Sequence, residues 1–145
     1  MPHASDDAIL TYVSVLVTEM DELNIQGNEL CYKLLFPQVG GGIDSQKVLS
    51  EETQQKDLMA LDEIIKTSNT KKEIPSESTV MPYLEPIFVN LYSKFGDDMS
   101  MIENPTATNV DKDKVCIITM DLYKEIISLP PKEAASALRW MFGSA

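Results

Sequence analysis

The stretch Ser5-Asp6-Asp7-Ala8-Ile9-Leu10-Thr11-Tyr12-Val13-Ser14-Val15-Leu16-Val17-Thr18-Glu19-Met20-Asp21-Glu22-Leu23 decides the fold. Eight of the ten residues from 8 to 17 are apolar, so this element is buried whatever its conformation. Ser5 can cap a helix whose first turn carries Asp6 and Asp7, where the helix dipole favours negative charge. Ile9, Val13, Leu16, Met20, Leu23, Gly27, Leu30 and Leu34 then step alternately by four and three, a helical seam with one hole. The hole is Gly27, between Asn24 and Asn28, where a helix kinks or breaks, so one helix or two fit equally well. A strand competes, because Ile9, Thr11, Val13, Val15 and Val17 are β-branched at period two. Helix is preferred, since the pattern runs on well past the usual strand length of about 5 to 6 residues.

Outward from this element the chain reads as further amphipathic helices. Pro37 and Gly40-Gly41-Gly42 end the first region, and Ser50-Glu51-Glu52 begins a helix from Thr53 to Thr67 with Leu58, Leu61, Ile64 and Ile65 as its core stripe. Leu84, Ile87, Phe88, Leu91, Tyr92 and Phe95 form a third stripe ending at Gly96, with Pro82 and Pro86 competing to mark its first turn. Lys114 to Leu129 puts Val115, Ile118, Leu122, Ile126 and Leu129 on one face, and a last helix starts near Pro131. The expected architecture is therefore all-α: one domain over residues 1–145, about five helices, with flexible loops at 37–49, 68–79 and 97–113. The alternative is α+β, with short strands near 9–17 and 114–119. The expected core is Ile9, Val13, Leu16, Met20, Leu58, Leu61, Ile65, Leu84, Ile87, Phe88, Leu91, Ile118, Leu122 and Ile126.

Charge narrows the partners. With 23 acidic and 12 basic residues the chain carries a formal charge of −11, which repels phosphate backbones. Eleven of the basic residues are lysines, and Arg139 alone offers a guanidinium fork, so direct nucleic-acid binding is not expected. The acidity is concentrated early: residues 1–68 hold 12 acids and 4 bases, a balance of −8, against 11 and 8, or −3, in the rest. No apolar run approaches the roughly 18 residues of a membrane span, and the acidic start lacks the basic region of a signal peptide. Cys31 and Cys116 match no metal or disulfide spacing. The expectation is a cytoplasmic protein with both thiols reduced and buried, and no membrane association.

Catalytic signatures are few. His3 is the single histidine and lies at the terminus, which withdraws Ser-His-Asp, Cys-His and histidine-bearing metal sites. The triglycine has neither P-loop nor dinucleotide-binding spacing, and Asp111-Lys112-Asp113 lacks the glycine and glutamate of a calcium loop. Glu19 and Glu22 stand one turn apart with Glu29 two turns on, so the enzyme alternative is a magnesium-dependent hydrolase of a small phosphorylated molecule. No cofactor is expected. At the other end Trp140, Met141 and Phe142 are consecutive large apolar residues, and a helix advances about 100° per residue, so they cannot share one face. Either that helix is sandwiched, or it has unwound, or one ring meets a partner.

The functional expectation is a non-enzymatic interaction or regulatory module that binds or sequesters another protein. Trp140, Phe142, Met141, Arg139 and Leu16 are its expected contact residues, and self-association as a homodimer uses the first or last helix. A third possibility is an acidic inhibitor of a nucleic-acid-binding protein.

Overall fold

The computed structural model describes residues 1–143. Its long helices are α1 (Asp6–Gln26), α5 (Glu51–Thr67), α6 (Glu77–Phe95), α8 (Lys112–Ile127) and α9 (Pro131–Gly143). Short helices α2 (Leu30–Leu35), α3 (Pro37–Gly40), α4 (Ser45–Val48) and α7 (Ser100–Glu103) join them. Among the described residues there is no strand, so the all-α expectation holds and the α+β alternative falls.

The strand-like look of residues 9–17 has a simple cause. Helix α1 lies at the centre, packed against α2, α5, α8 and α9, so it buries residues on several faces. A helix apolar all round acquires period-two matches by accident. Residues 114–119 likewise fall inside α8, where Val115, Cys116 and Ile118 are buried. Ser5 caps α1 as expected, accepting from the Ala8 amide at 3.2 Å. The seam does break at its hole: Gly27 ends α1 with φ +81°, Asn28 and Glu29 follow at φ 56° and 59°, and α2 begins anew. Three consecutive residues of positive φ reverse the chain where a helix interior could not.

The main core joins α1, α6, α8 and α9 through Ile9, Val13, Leu84, Ile87, Leu91, Ile118, Leu122, Ile126 and Leu138. A second cluster, Val17, Met20, Leu23, Leu49 and Met120, gathers around Cys31 and Cys116. The two cysteines are buried as expected but not reduced: packing of α2 on α8 brings their Cα atoms to 6.0 Å and they form a disulfide. A single bridge 85 residues apart leaves no local spacing to read.

Three further expectations change. The segments expected as open loops hold short helical turns with buried anchors, Leu49 before α5 and Met99 before α7, while α6 already starts at Glu77. Pro82 and Pro86 lie inside α6 rather than at its start; one turn apart on its exposed face, they leave the unpaired carbonyls of Ser78 and Pro82 on exposed residues. Most consequential is α5. Leu58, Leu61 and Ile65 are 61%, 42% and 66% exposed; of the expected stripe Ile64 alone is buried, and the helix turns Thr53 and Ala60 inward beside it.

No helix among the described residues is long and apolar enough to cross a membrane.

Candidate functional site

Helix α5 is an outrigger. It packs along α1 and touches α4 and the 3-10 turn Ser68–Thr70, and no packing of comparable extent joins it to α6, α8 or α9. Small inward residues let it sit close to α1, and polar contacts fasten it at both ends. At its start Ser50 caps the helix by accepting from the Thr53 amide at 3.2 Å. Glu22 of α1 accepts from the Ser50 amide at 2.5 Å and from the Thr53 hydroxyl at 2.6 Å. The Thr53 hydrogen bond, foremost, holds the Glu22 carboxyl below its ordinary pKa. At the far end the Ser5 amide donates to the Thr67 hydroxyl at 3.1 Å, and the Thr70 hydroxyl donates to the His3 carbonyl at 2.9 Å.

Between these clamps lies a carboxyl pair. Glu19 of α1 is 5% exposed, and its Oε1 has no hydrogen-bond partner among the described residues. Burial, then a hydrogen bond with Asp57 of α5 and the charges of Asp57 and Glu22, push its pKa up to about 8. Glu19 and Asp57 thus face each other across the seam between α1 and the middle of α5. Tyr12 stands beside the pair, its hydroxyl pKa raised by burial and by Asp57 and Glu19. Tyr123 of α8 stands beside Tyr12 and is raised mainly by burial.

Outside this polar seam α5 exposes an apolar stripe set among charged and polar residues. Relative to Ala60, which faces α1, Leu61, Ile65 and Leu58 fall about 100° to 160° around the helix. Asp57 borders the stripe on its inner edge, and Glu51 and Asp62 border its outer edge. The head of the stripe opens into a groove of about 200 Å³ lined by Ser45, Gln46, Leu49, Gln54, Asp57 and Leu58. On the opposite flank Met59, 68% exposed, overhangs a groove of about 510 Å³ floored by Thr11, Val15 and Ala60. Among the described residues no other helix exposes as many large apolar side chains as these four.

The residues singled out in the sequence are placed elsewhere. Glu19, Glu22 and Glu29 do not converge: the first faces Asp57, the second accepts from Ser50 and Thr53 at the start of α5, and the third lies 3.4 Å from Lys112. No group of three or more His, Cys, Asp or Glu among the described residues is placed to hold a metal ion. Arg139 is 4% exposed and donates to the carbonyls of Pro2 at 2.5 Å and Ala4 at 2.7 Å and to Asp6 Oδ1 at 2.5 Å, so its fork fixes the N-terminal segment rather than meeting solvent. Trp140, Met141 and Phe142 are half-buried against the main core. Helix α9 stays wound through them because it is sandwiched by α1, α6 and α8, with Ile74 against its last residue, Gly143. Leu16 is half-buried against the disulfide cluster. What sequence reasoning missed is Asp57 and the outward stripe. A signal was present, since Thr53, Asp57, Ala60, Ile64 and Thr67 also recur at helical spacing, but the larger residues on the neighbouring face outweighed them.

No family model, curated protein sequence or solved structure matches the chain.

Proposed function

We propose that this chain acts by binding another protein rather than by catalysis, and that α5 carries the contact. The supporting observation is the exposed stripe Leu58-Leu61-Ile65 on a helix along which α1 is the one long helix packed. Apolar side chains scattered singly over a surface need no explanation, whereas three aligned along one unpartnered helix face match helix-in-groove recognition. The contact moves from α9 to α5, because Arg139 is engaged within the chain and the three residues after it pack on the core. A homodimer, expected from the surplus of apolar faces, would use this same stripe. A magnesium-dependent hydrolase built on Glu19, Glu22 and Glu29 would need those carboxylates together, and each is engaged elsewhere. The Cys31–Cys116 bond favours an oxidising compartment over the cytoplasmic one expected from composition.

A photoreactive residue at position 61, with a control at exposed position 78, tests the reading in extract of the source cells. A discrete adduct from 61 that disappears in the folded Ile65→Asp variant supports it, and the adduct mass tells a different protein from a second copy. Adducts formed equally from 78, or none from 61, overturn it.

A further inference from the structure

The stripe is edged with acid. Helix α5 carries Glu51, Glu52, Asp57, Asp62 and Glu63 against Lys56 and Lys66. Both lysines sit away from the stripe and pair within the helix, Lys56 with Glu52 at 3.1 Å and Lys66 with Asp62 at 2.7 Å. The border beside Leu58, Leu61 and Ile65 is therefore Asp57 on one side and Glu51 and Asp62 on the other, with no lysine between them. The surrounding first half of the chain, at −8, carries most of the negative field. A second copy laid on this face would bring the same acidic edges against one another, and like charges across an interface are costly. A segment with an apolar ridge flanked by Lys or Arg meets the opposite situation.

One point on that border differs from the others. Asp57 shares its environment with Glu19, whose Oε1 is buried without a partner among the described residues, and no described Lys or Arg forms an ion pair with either carboxyl group. The groups facing them are the Tyr12 hydroxyl and Glu22 on α1 and, through Tyr12, the Tyr123 hydroxyl on α8; none of these supplies positive charge. The small groove beside Asp57 and Leu58 gives a long side chain an approach.

Building on the protein-binding reading above, we propose that the partner of α5 is a cationic amphipathic helix of another protein. Its apolar ridge lies along Leu58, Leu61 and Ile65, and one Lys or Arg reaches Asp57 beside Glu19. A cation there stabilises the charged form of the pair, so docking releases a proton from Glu19 near neutral pH. That proton distinguishes a built contact from diffuse attraction of a basic peptide to an acidic protein, which any cationic segment would show.

The test uses the full chain at pH 7.5 and two synthetic 18-residue helices with one leucine ridge, the first flanked by lysines and the second by glutamates. The lysine peptide binds and the glutamate peptide does not. Affinity falls about tenfold or more in Leu61→Asp and Ile65→Asp, each checked for native helicity, because an aspartate is then buried against the ridge. Asp57→Asn weakens binding several-fold. Calorimetry in buffers of different ionisation enthalpy counts the released proton, which vanishes in Glu19→Gln. Equal binding of both peptides, binding indifferent to Leu61→Asp, or proton release unchanged in Glu19→Gln overturns the cationic partner. A wild-type chain that dimerises and is split by Leu61→Asp also overturns it, yet leaves α5 as the docking helix. If neither peptide nor second copy depends on the stripe and position 61 gives no crosslink, the protein-binding reading fails as well.

Discussion

Leu58, Leu61 and Ile65 on α5 and Leu84, Ile87 and Leu91 on α6 share one spacing, three residues and then four, and meet opposite fates. The α6 set is buried, with Leu84 and Leu91 at 0% exposure, while every member of the α5 set is more than 40% exposed. The difference lies in the neighbours. Helix α6 is covered by α8, α9 and the 3-10 turn Gly96–Met99, whereas α5 has α1 beneath it and nothing of that extent elsewhere. Helical spacing shows that a face is apolar; only the packing shows whether this chain covers it.

Truncation should break the equivalence most visibly. Leu84→Ala or Leu91→Ala opens a cavity in the main core and is expected to cost about 2 to 5 kcal/mol in denaturant unfolding. Equal costs for Leu61→Ala would mean that the two stripes are alike after all.

The second prediction sharpens the contrast by striking the disulfide cluster. Reducing Cys31–Cys116, or replacing both residues with Ala, frees α2 from α8 and is expected to cost about 2 to 4 kcal/mol. Hydrogen exchange should then quicken in α2 and around Met120, while α5 keeps its protection on α1. Faster exchange throughout α5 would show that the outrigger depends on the disulfide cluster.

A third prediction concerns the seam under α5. The unfolded chain gives up the Glu19 proton in the ordinary carboxylate range, whereas the folded chain holds it up to about 8. Across that window the unfolded state binds fewer protons, so this group makes stability fall as pH rises, levelling off once Glu19 ionises in the folded state. Glu19→Gln removes the slope and should gain on the wild type by on the order of 2 kcal/mol between pH 5 and pH 9. Parallel pH profiles for the two proteins would contradict the Glu19–Asp57 pairing.

Much of the fold was legible because its signals are local. Ser5, Ser50 and Gly96 mark helix ends by hydrogen bonding and backbone conformation, and Leu84, Ile118, Leu122 and Ile126 recur at the helical period beside partners that exist. The remainder depends on contacts between distant residues. Cys31 and Cys116 carry no mark of each other, and Arg139 finds Pro2, Ala4 and Asp6 only once α9 lies on the start of the chain. The candidate site was hardest to read, since an outward Leu61 and an inward Ala60 exchange roles only when α1 is seen to be the sole long helix packed along α5. The same carboxylates that suggested a metal in sequence, Glu19 and Glu22, turn out to fasten α5 to its support.

The smallest expected effect tests the exposed stripe most directly: the denaturant midpoint of the Leu61→Asp, Ile65→Asp double variant against wild type. With the stripe facing solvent, unfolding free energy should change by no more than about 0.5 to 1 kcal/mol, because surface substitutions away from packed features stay near that size. A loss of about 3 kcal/mol or more, the penalty of placing uncompensated charge in a core, would contradict the outward stripe.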